Sequence, residues 1–170
     1  MQRWYLVCLL LICALPATAG EWSEMEVRLL PDSSFAVVET DARGRRHRHC
    51  PFRDARGEID ADQLIFALGR LDREEWLDPA SAAAARKLLE RHYQRWRAHL
   101  DDTRLPPAVD LNNAAPCQLV RLPGIGPVLA VRIVDYRTRR AAFLTPQDVM
   151  KVEGIRRSKF LAIRHYIEIH

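Results

Sequence analysis

The segment "QLVRLPGIGPVLAVRIVDY", residues 118–136, recurs as "DVMKVEGIRRSKFLAIRHY" at residues 148–166. The alignment places Gly124-Ile125 on Gly154-Ile155, Ile133 on Ile163 and Tyr136 on Tyr166. Each copy reads as a short helix, a tight hairpin and a second helix, a motif too small to bury its own apolar face. The two copies therefore predict a compact all-α domain over residues 109–170.

The hairpin "LPGIGP" of the first copy, residues 122–127, has the features of a main-chain anion site. Pro127 suits the first turn of a helix, because its fixed φ fits there and its missing N–H would have no intrahelical partner. Gly124 and Gly126 allow positive φ and close approach of another group. We expect four N–H groups to converge at the positive end of the helix dipole, those of Gly124, Ile125, Gly126 and Val128. The alternative is that the glycines only permit a sharp turn.

The charge distribution favours a polyanionic partner for this part of the chain. Residues 110–170 hold ten lysines and arginines against five aspartates and glutamates, whereas residues 1–109 hold 16 against 17. The excess of basic over acidic residues is thus confined to the C-terminal third of the sequence.

This third resembles the tandem helix-hairpin-helix domain of ComEA-type competence proteins, in the order and spacing of "VDLNN", "LPGIGP", "VDYR", "AAF" and "KVEGI". The resemblance implies sequence-independent binding of double-stranded DNA through hairpin amides and nearby cations, and DNA-uptake proteins as further partners. In bacteria with an outer membrane, the soluble periplasmic form holds incoming DNA during natural transformation. The implied DNA-binding residues are Gly124, Ile125, Gly126, Val128, Arg132, Gly154, Ile155, Arg156, Arg157 and Lys159.

Two departures from that family pattern concern the site itself. Val128 stands where a lysine often follows the hairpin, and Arg156 stands where the second hairpin would carry its later glycine. A Cβ at residue 156 is expected to hinder a phosphate from reaching the amides, although Arg156, Arg157 and Lys159 could reach it with their side chains. The second hairpin is either an altered phosphate site or purely structural.

The N-terminal residues have the layout of a secretory signal peptide. Arg3 is followed by an apolar run and then by Ala17-Thr18-Ala19, which predicts a leader over residues 1–19 cleaved after Ala19. An uncleaved anchor is the alternative, but a spanning helix needs ~20 apolar residues and this run is shorter. We expect a periplasmic or secreted protein that does not span the membrane after cleavage.

Residues 20–104 predict a small α+β domain, which makes the whole chain α+β. "MEVRLL" and "FAVVET", residues 25–30 and 35–40, are expected to pair as a hairpin, with "RRHRHC" as a third, polar edge strand. Asp60 should cap a helix that ends at Gly69, and Asp78-Pro79 should begin a longer helix that packs on the hairpin. The Pro-Pro pair in "TRLPPAV" predicts a linker at residues 105–108.

The sequence contains little that indicates a metal site, a cofactor site or a catalytic site. After leader cleavage, Cys50 and Cys117 remain, and a disulfide between them or two separate thiols are both compatible with the pattern. Strand alternation separates Cys50 from His47 and His49, so no metal site is predicted, and no cofactor motif is present. No nucleophile–base pairing stands out, so we expect a non-enzymatic protein. The alternative to DNA binding is a helix-hairpin-helix scaffold used for protein–protein interaction.

Overall fold

The structure is a computed structural model that describes residues 21–100 and 108–170. The predicted leader at 1–19 and all but the last residue of the predicted linker at 105–108 lie outside the described residues. The predicted α+β class is confirmed: the described chain combines helices with one antiparallel β-hairpin, and its C-terminal part is helical.

The described chain consists mainly of helices, with a pair of strands near its start and two short strands in its C-terminal part. In chain order the elements are α1 (Glu24–Leu29), β1 (Phe35–Thr40), β2 (Arg46–Pro51), α2 (Ala61–Arg70), α3 (Pro79–Ala98), β3 (Val109–Asp110), α4 (Pro116–Leu119), α5 (Pro127–Arg139), α6 (Arg157–Ile163) and β4 (Ile167–Glu168). Short 3₁₀ helices cover Asp32–Ser34, Leu71–Arg73 and Pro146–Lys151. No helix in the described ranges is long and apolar enough to cross a membrane.

The first predicted strand is wrong, because "MEVRLL" lies in helix α1 instead. Ser23 and Glu26 form a capping box, in which the Ser23 hydroxyl accepts from the Glu26 N–H and the Glu26 carboxylate accepts from the Ser23 N–H. Arg28 pairs with Glu24 one turn earlier. These local hydrogen bonds satisfy the ends of a short helix, and they outweigh the strand preference of the apolar residues.

The hairpin is formed by β1 and β2, so "RRHRHC" is the second strand of an antiparallel pair and not a third strand. Phe35 lies opposite Pro51 and Thr40 opposite Arg46. The strand is also less solvated than predicted, because His49 is buried, lies 3.0 Å from Glu39 and stacks on Trp76. As predicted, α3 packs against this hairpin, through β1.

Helix α2 begins as predicted but does not end at Gly69. The Asp60 side chain accepts from the Gln63 N–H at 2.9 Å and caps the helix, which continues to Arg70. Gly69 is needed for packing and not for termination. A Cβ on Gly69 would overlap the side chain of Val131 and lie 2.9 Å from the carbonyl oxygen of Pro127. The missing side chain lets α2 lie directly against α5.

The apolar side chains of the two predicted units form one continuous cluster. Leu64 and Ile65 of α2 and Ala130 and Val131 of α5 are fully buried members of it. The most extensive helix–helix contact in the described chain is the one between α2 and α5. The hairpin that precedes α5 is therefore held by residues of both predicted units.

An ion-pair network borders this contact. Asp135 of α5 accepts from Arg70 at 2.9 Å and from Arg73 at 2.8 Å, and Arg70 also pairs with Glu21. Burial acts to raise the pKa of Asp135, but the hydrogen bonds from Arg73 and Arg70 and the charges of Arg70 and Arg139 outweigh burial and lower that pKa below its usual value. The carboxylate thus stabilises the contact only while it is ionised.

The C-terminal part closes on itself through its first and last strands. Val109 and Asp110 of β3 pair in parallel with Ile167 and Glu168 of β4. The predicted repeat is reproduced in the packing. Leu119 and Val149 are fully buried at equivalent positions, as are Ile133 and Ile163.

Replacing Gly69 by valine should lower the free energy of unfolding by about 2 kcal/mol or more, because the added side chain must displace Val131 or the Pro127 backbone. Chemical denaturation measures this change. Ala84→Val adds the same side chain type to an exposed helical position and should cost only about 0.5 kcal/mol. Equal losses in the two variants would contradict the close packing of α2 on α5.

Replacing Asp135 by asparagine should lower the free energy of unfolding at pH 7 by about 1.5–3 kcal/mol, because two charged hydrogen bonds are weakened. The folded-state pKa of Asp135 lies below the unfolded value near ~3.9. Its contribution is therefore complete above pH ~4 and is lost as the pH falls through the folded pKa. Denaturation at pH 7 and near pH 2 should show the parent and the variant converging at the acidic value, and a constant difference would contradict this account.

Candidate nucleic-acid interface

The first hairpin turns at Gly124, where φ is +72°, a conformation that side-chain-bearing residues rarely adopt. The Ile125 N–H donates to the Leu122 carbonyl at 3.1 Å, and the Ile125 side chain is buried. Ile125 is therefore not a free amide donor, contrary to the prediction. It closes the turn and anchors the hairpin in the core.

Gly126 does not use positive φ, which is a second correction. Its φ of −97° and ψ of −178° are extended values open to any residue, and a Cβ built there meets no atom within 4 Å. The glycine at this position leaves space above the N-terminus of α5 and is not required by the turn. The open space gives another group access to the backbone from outside.

Three of the four predicted donors remain available. Within the described chain, no backbone carbonyl accepts from the N–H groups of Gly124, Gly126 or Val128. They lie at the N-terminal end of α5, a 13-residue helix whose first intrahelical bond runs from the Ala130 N–H to the Gly126 carbonyl. Free amides together with the positive end of a helix dipole form a surface suited to an anionic oxygen.

The second hairpin has the same backbone as the first despite its different residues. Gly154 has a φ of +91°, and the Ile155 N–H donates to the Val152 carbonyl at 3.0 Å. Arg156 has a φ of −101° and a ψ of 175°, close to the values of Gly126. The arginine therefore changes the surface of the hairpin and leaves the turn intact.

The two hairpins lie side by side and contact each other crosswise. Arg132 of α5 donates to the Glu153 carbonyl of the second hairpin at 3.0 Å, and Leu129 packs where a Cβ on Gly154 would fall. From the other copy, the Lys159 ammonium lies 3.5 Å from the Gly124 carbonyl. The repeat thus brings both turns onto one surface.

The predicted cations differ in how freely their charges face solvent. Arg156 and Arg157 are exposed, and no carboxylate of the described residues pairs with either. Arg132 is partly neutralised, because its guanidinium lies 3.8 Å from the Glu153 carboxylate as well as on the Glu153 carbonyl. Arg137, which follows the first hairpin in the sequence, points away and donates to the Leu111 carbonyl at 2.9 Å.

One group of cations beside the first hairpin was not predicted. Lys87 and Arg91 of α3 line a cavity of about 670 Å³ together with Pro127 and Val128. The near balance of acidic and basic residues over 1–109 hid this local excess. The signal that could have found it is the four-residue spacing of basic residues along α3.

Cys50 and Cys117 are free thiols in this structure, so the disulfide left open by the sequence is not formed. Burial, with Glu74 nearby, raises the pKa of Cys50 to about 12, and burial and Asp62 raise that of Cys117 to about 12. Neither thiol is poised as a nucleophile. In the described ranges, no cluster of three histidine, cysteine, aspartate or glutamate residues is arranged to hold a metal ion.

Two turns of the same geometry, each following a short helix and leading into another, form a tandem helix-hairpin-helix arrangement. Residues 107–168 match the family model of the helix-hairpin-helix motif. The match covers the entire repeat and supports the coarser part of the resemblance, a helix-hairpin-helix DNA-binding domain.

The same part of the chain is similar to proteins named endonuclease/exonuclease/phosphatase family domain-containing protein 1. The identity over 63 residues is 36% for the protein of Bos taurus, 35% for that of Rattus norvegicus and 33% for that of Homo sapiens. The alignment covers 37% of this chain but only 11% of each relative, so the likeness concerns the repeat alone. No solved structure matches the chain.

The glycines of the hairpins should differ in their tolerance of alanine. Gly124→Ala should cost about 1–2 kcal/mol because of its positive φ, and Gly154→Ala should cost more because its Cβ also lies 2.9 Å from Leu129. Gly126→Ala, the matched control in the same hairpin, should cost less than about 1 kcal/mol. Thermal or chemical unfolding tests this order, and a Gly126→Ala loss equal to that of Gly124→Ala would contradict the assigned backbone.

Proposed function

We propose that this protein is an exported, non-enzymatic protein that binds double-stranded DNA without sequence preference. The observation that carries the proposal is the set of free N–H groups at Gly124, Gly126 and Val128, at the N-terminus of α5 and beside the second hairpin. The helix-hairpin-helix match over 107–168 supports a nucleic-acid partner.

The chemistry of the hairpins favours the DNA backbone over the bases as the contacted group. Main-chain N–H groups and exposed arginines recognise phosphate oxygens, which carry no direct sequence information. The hairpin turns are short, and the helices α4 and α6 that flank them have only four and seven residues. We therefore expect unrelated duplexes of equal length to bind equally well.

The number of phosphate contacts determines the expected affinity for DNA. Two hairpins with a few cations could neutralise ~3–5 phosphates, and each contributes about −0.9 to the slope of log K against log salt. Binding should therefore be weak at physiological salt and should tighten steeply as the salt concentration falls.

DNA uptake during natural transformation is the cellular role we propose. The leader-like residues 1–19 support export to the periplasm or the medium, and the resemblance of residues 109–170 to ComEA-type proteins supports handling of incoming DNA. In that role the protein would meet other proteins of the uptake pathway. The absence of a nucleophile–base pattern in the sequence supports a binding protein and not an enzyme.

A protein-interaction scaffold is the second candidate, and specific residues favour it. Val128 gives the first hairpin no cation of its own, and its side chain is 42% exposed. Arg156 occupies the position of a glycine in the second hairpin. A scaffold would show a stable protein partner and no duplex binding at low salt.

Gly126→Val should weaken duplex binding while the fold persists, because the added side chain enters the open space through which a phosphate would approach the amides. Fluorescence anisotropy with two unrelated duplexes, titrated with salt, measures affinity and slope. Ala42→Val, at an exposed turn of the β-hairpin, is the matched control and should bind like the parent.

Equal affinity of Gly126→Val and the parent would overturn the role of the hairpin amides. Absence of salt-dependent binding by the parent would overturn DNA binding altogether. Circular dichroism on each variant verifies that a loss of affinity does not come from unfolding.

A further inference from the structure

We infer that helix α3, which lies outside the helix-hairpin-helix repeat, carries a second cationic surface that contacts the same DNA backbone as the first hairpin. The surface consists of Lys87, Arg91 and Arg95 and is called the α3 stripe below. This inference rests on the proposed function and gives a role to residues that precede the matched segment 107–168.

Helix α3 is connected to the start of the first hairpin by a hydrogen bond. The Arg97 guanidinium donates to the Val120 carbonyl at 3.0 Å, at the start of that hairpin. Further toward the N-terminus of α3, Lys87 and Arg91 line the cavity of about 670 Å³ whose opposite wall contains Pro127 and Val128. Val128, which carries one of the three free amides, therefore lines the same cavity as Lys87 and Arg91.

The α3 stripe is positively charged and not neutralised. Its three residues are exposed and follow one another at intervals of four, so they lie along one side of the helix. No carboxylate among the described residues forms an ion pair with any of them. Arg86 is different, because it pairs with Asp72 and lies 4.0 Å from Glu90.

The stripe supplies what the first hairpin lacks. Val128 offers a free N–H but no charge at the N-terminus of α5, and Lys87 and Arg91 stand across the cavity from it. A phosphate backbone that follows the hairpin toward α3 would meet amide donors first and cations next. Such a combination adds counterion release to hydrogen bonding.

A second groove, within the repeat, is less suited to a polyanion. It has a volume of about 430 Å³, lies between α5 and the 3₁₀ helix Pro146–Lys151, and mixes charges of both signs. Its lining includes Asp135 and Glu153, and its Lys151 already pairs with Asp148 at 2.7 Å. The α3 cavity contains one carboxylate, Glu90, which lies 4.0 Å from Arg86, so fewer carboxylates repel phosphate there than in this groove.

The test compares the protein with its Lys87→Gln/Arg91→Gln double variant in salt titrations of duplex binding. Losing two phosphate contacts should make the log–log slope shallower by about 1.8 and weaken binding by roughly 10- to 60-fold at 0.1 M salt. Arg43→Gln, which removes an exposed cation from the turn of the β-hairpin, is the control and should leave the slope unchanged.

A gain-of-charge variant tests the same surface in the opposite direction. Gln94 lines the cavity and is exposed, so Gln94→Lys should steepen the slope by up to about 0.9. All substituted side chains are exposed, and circular dichroism should show no change in fold.

The outcomes separate the two proposals. If the parent binds with salt dependence while the double variant and Gln94→Lys keep the parental slope, the α3 stripe is excluded and the proposed function stands. If the parent shows no salt-dependent binding to duplex, the proposed function fails and the inference fails with it.

Discussion

The packing of Gly69 against α5 is the contact on which the arrangement of the site depends. A side chain at residue 69 would collide with Val131 and with the Pro127 carbonyl, so α2 reaches α5 only because the glycine leaves that space empty. Pro127 is also the first residue of the helix whose N-terminus presents the free amides. The same contact therefore buries the apolar face of α5 and fixes the hairpin relative to α2 and α3. The ion pairs of Asp135 with Arg70 and Arg73 lie at the border of this contact and stabilise it.

The two hairpins show which features of the repeat are structural. Both keep a glycine at positive φ, a buried isoleucine and an N–H bond from that isoleucine to the residue three positions earlier. These shared features close the turn and anchor it in the core. Residues 126 and 156 share a backbone conformation but not a side chain, so that position does not determine the fold. What differs between the copies is the chemistry of the outer surface: amides under open space in the first copy, and arginines in the second.

The sequence predicted features that depend on neighbours in the chain and missed those that depend on distant residues. The repeat, the Asp60 and Asp78 caps and the turn at Gly124 follow from local patterns, and the structure reproduces them. The role of Gly69 could not be predicted, because the residues that leave no room for a side chain there belong to α5, more than fifty residues later in the sequence. The helix at "MEVRLL" was not predicted for another reason. The helix cap at Ser23 lies just before the apolar run, and it favours a helix over the strand that the apolar residues prefer. At the site, the amide of Ile125 was counted as free because the sequence does not show which carbonyl it meets.

The crosswise contacts explain how a first hairpin without its own lysine still faces a cation. Val128 leaves the first copy without a charge, but Lys159 of the second copy reaches the Gly124 carbonyl at 3.5 Å. In the repeat alignment Lys159 corresponds to Leu129, which packs on Gly154 in the reciprocal contact. One apolar and one cationic residue thus occupy equivalent positions in the two copies. The lysine of the second copy places its ammonium group beside the first hairpin, at the Gly124 carbonyl. Because each copy contributes to the surface of its partner, the two hairpins form one structural unit, and a substitution in the second copy changes the electrostatics of the first.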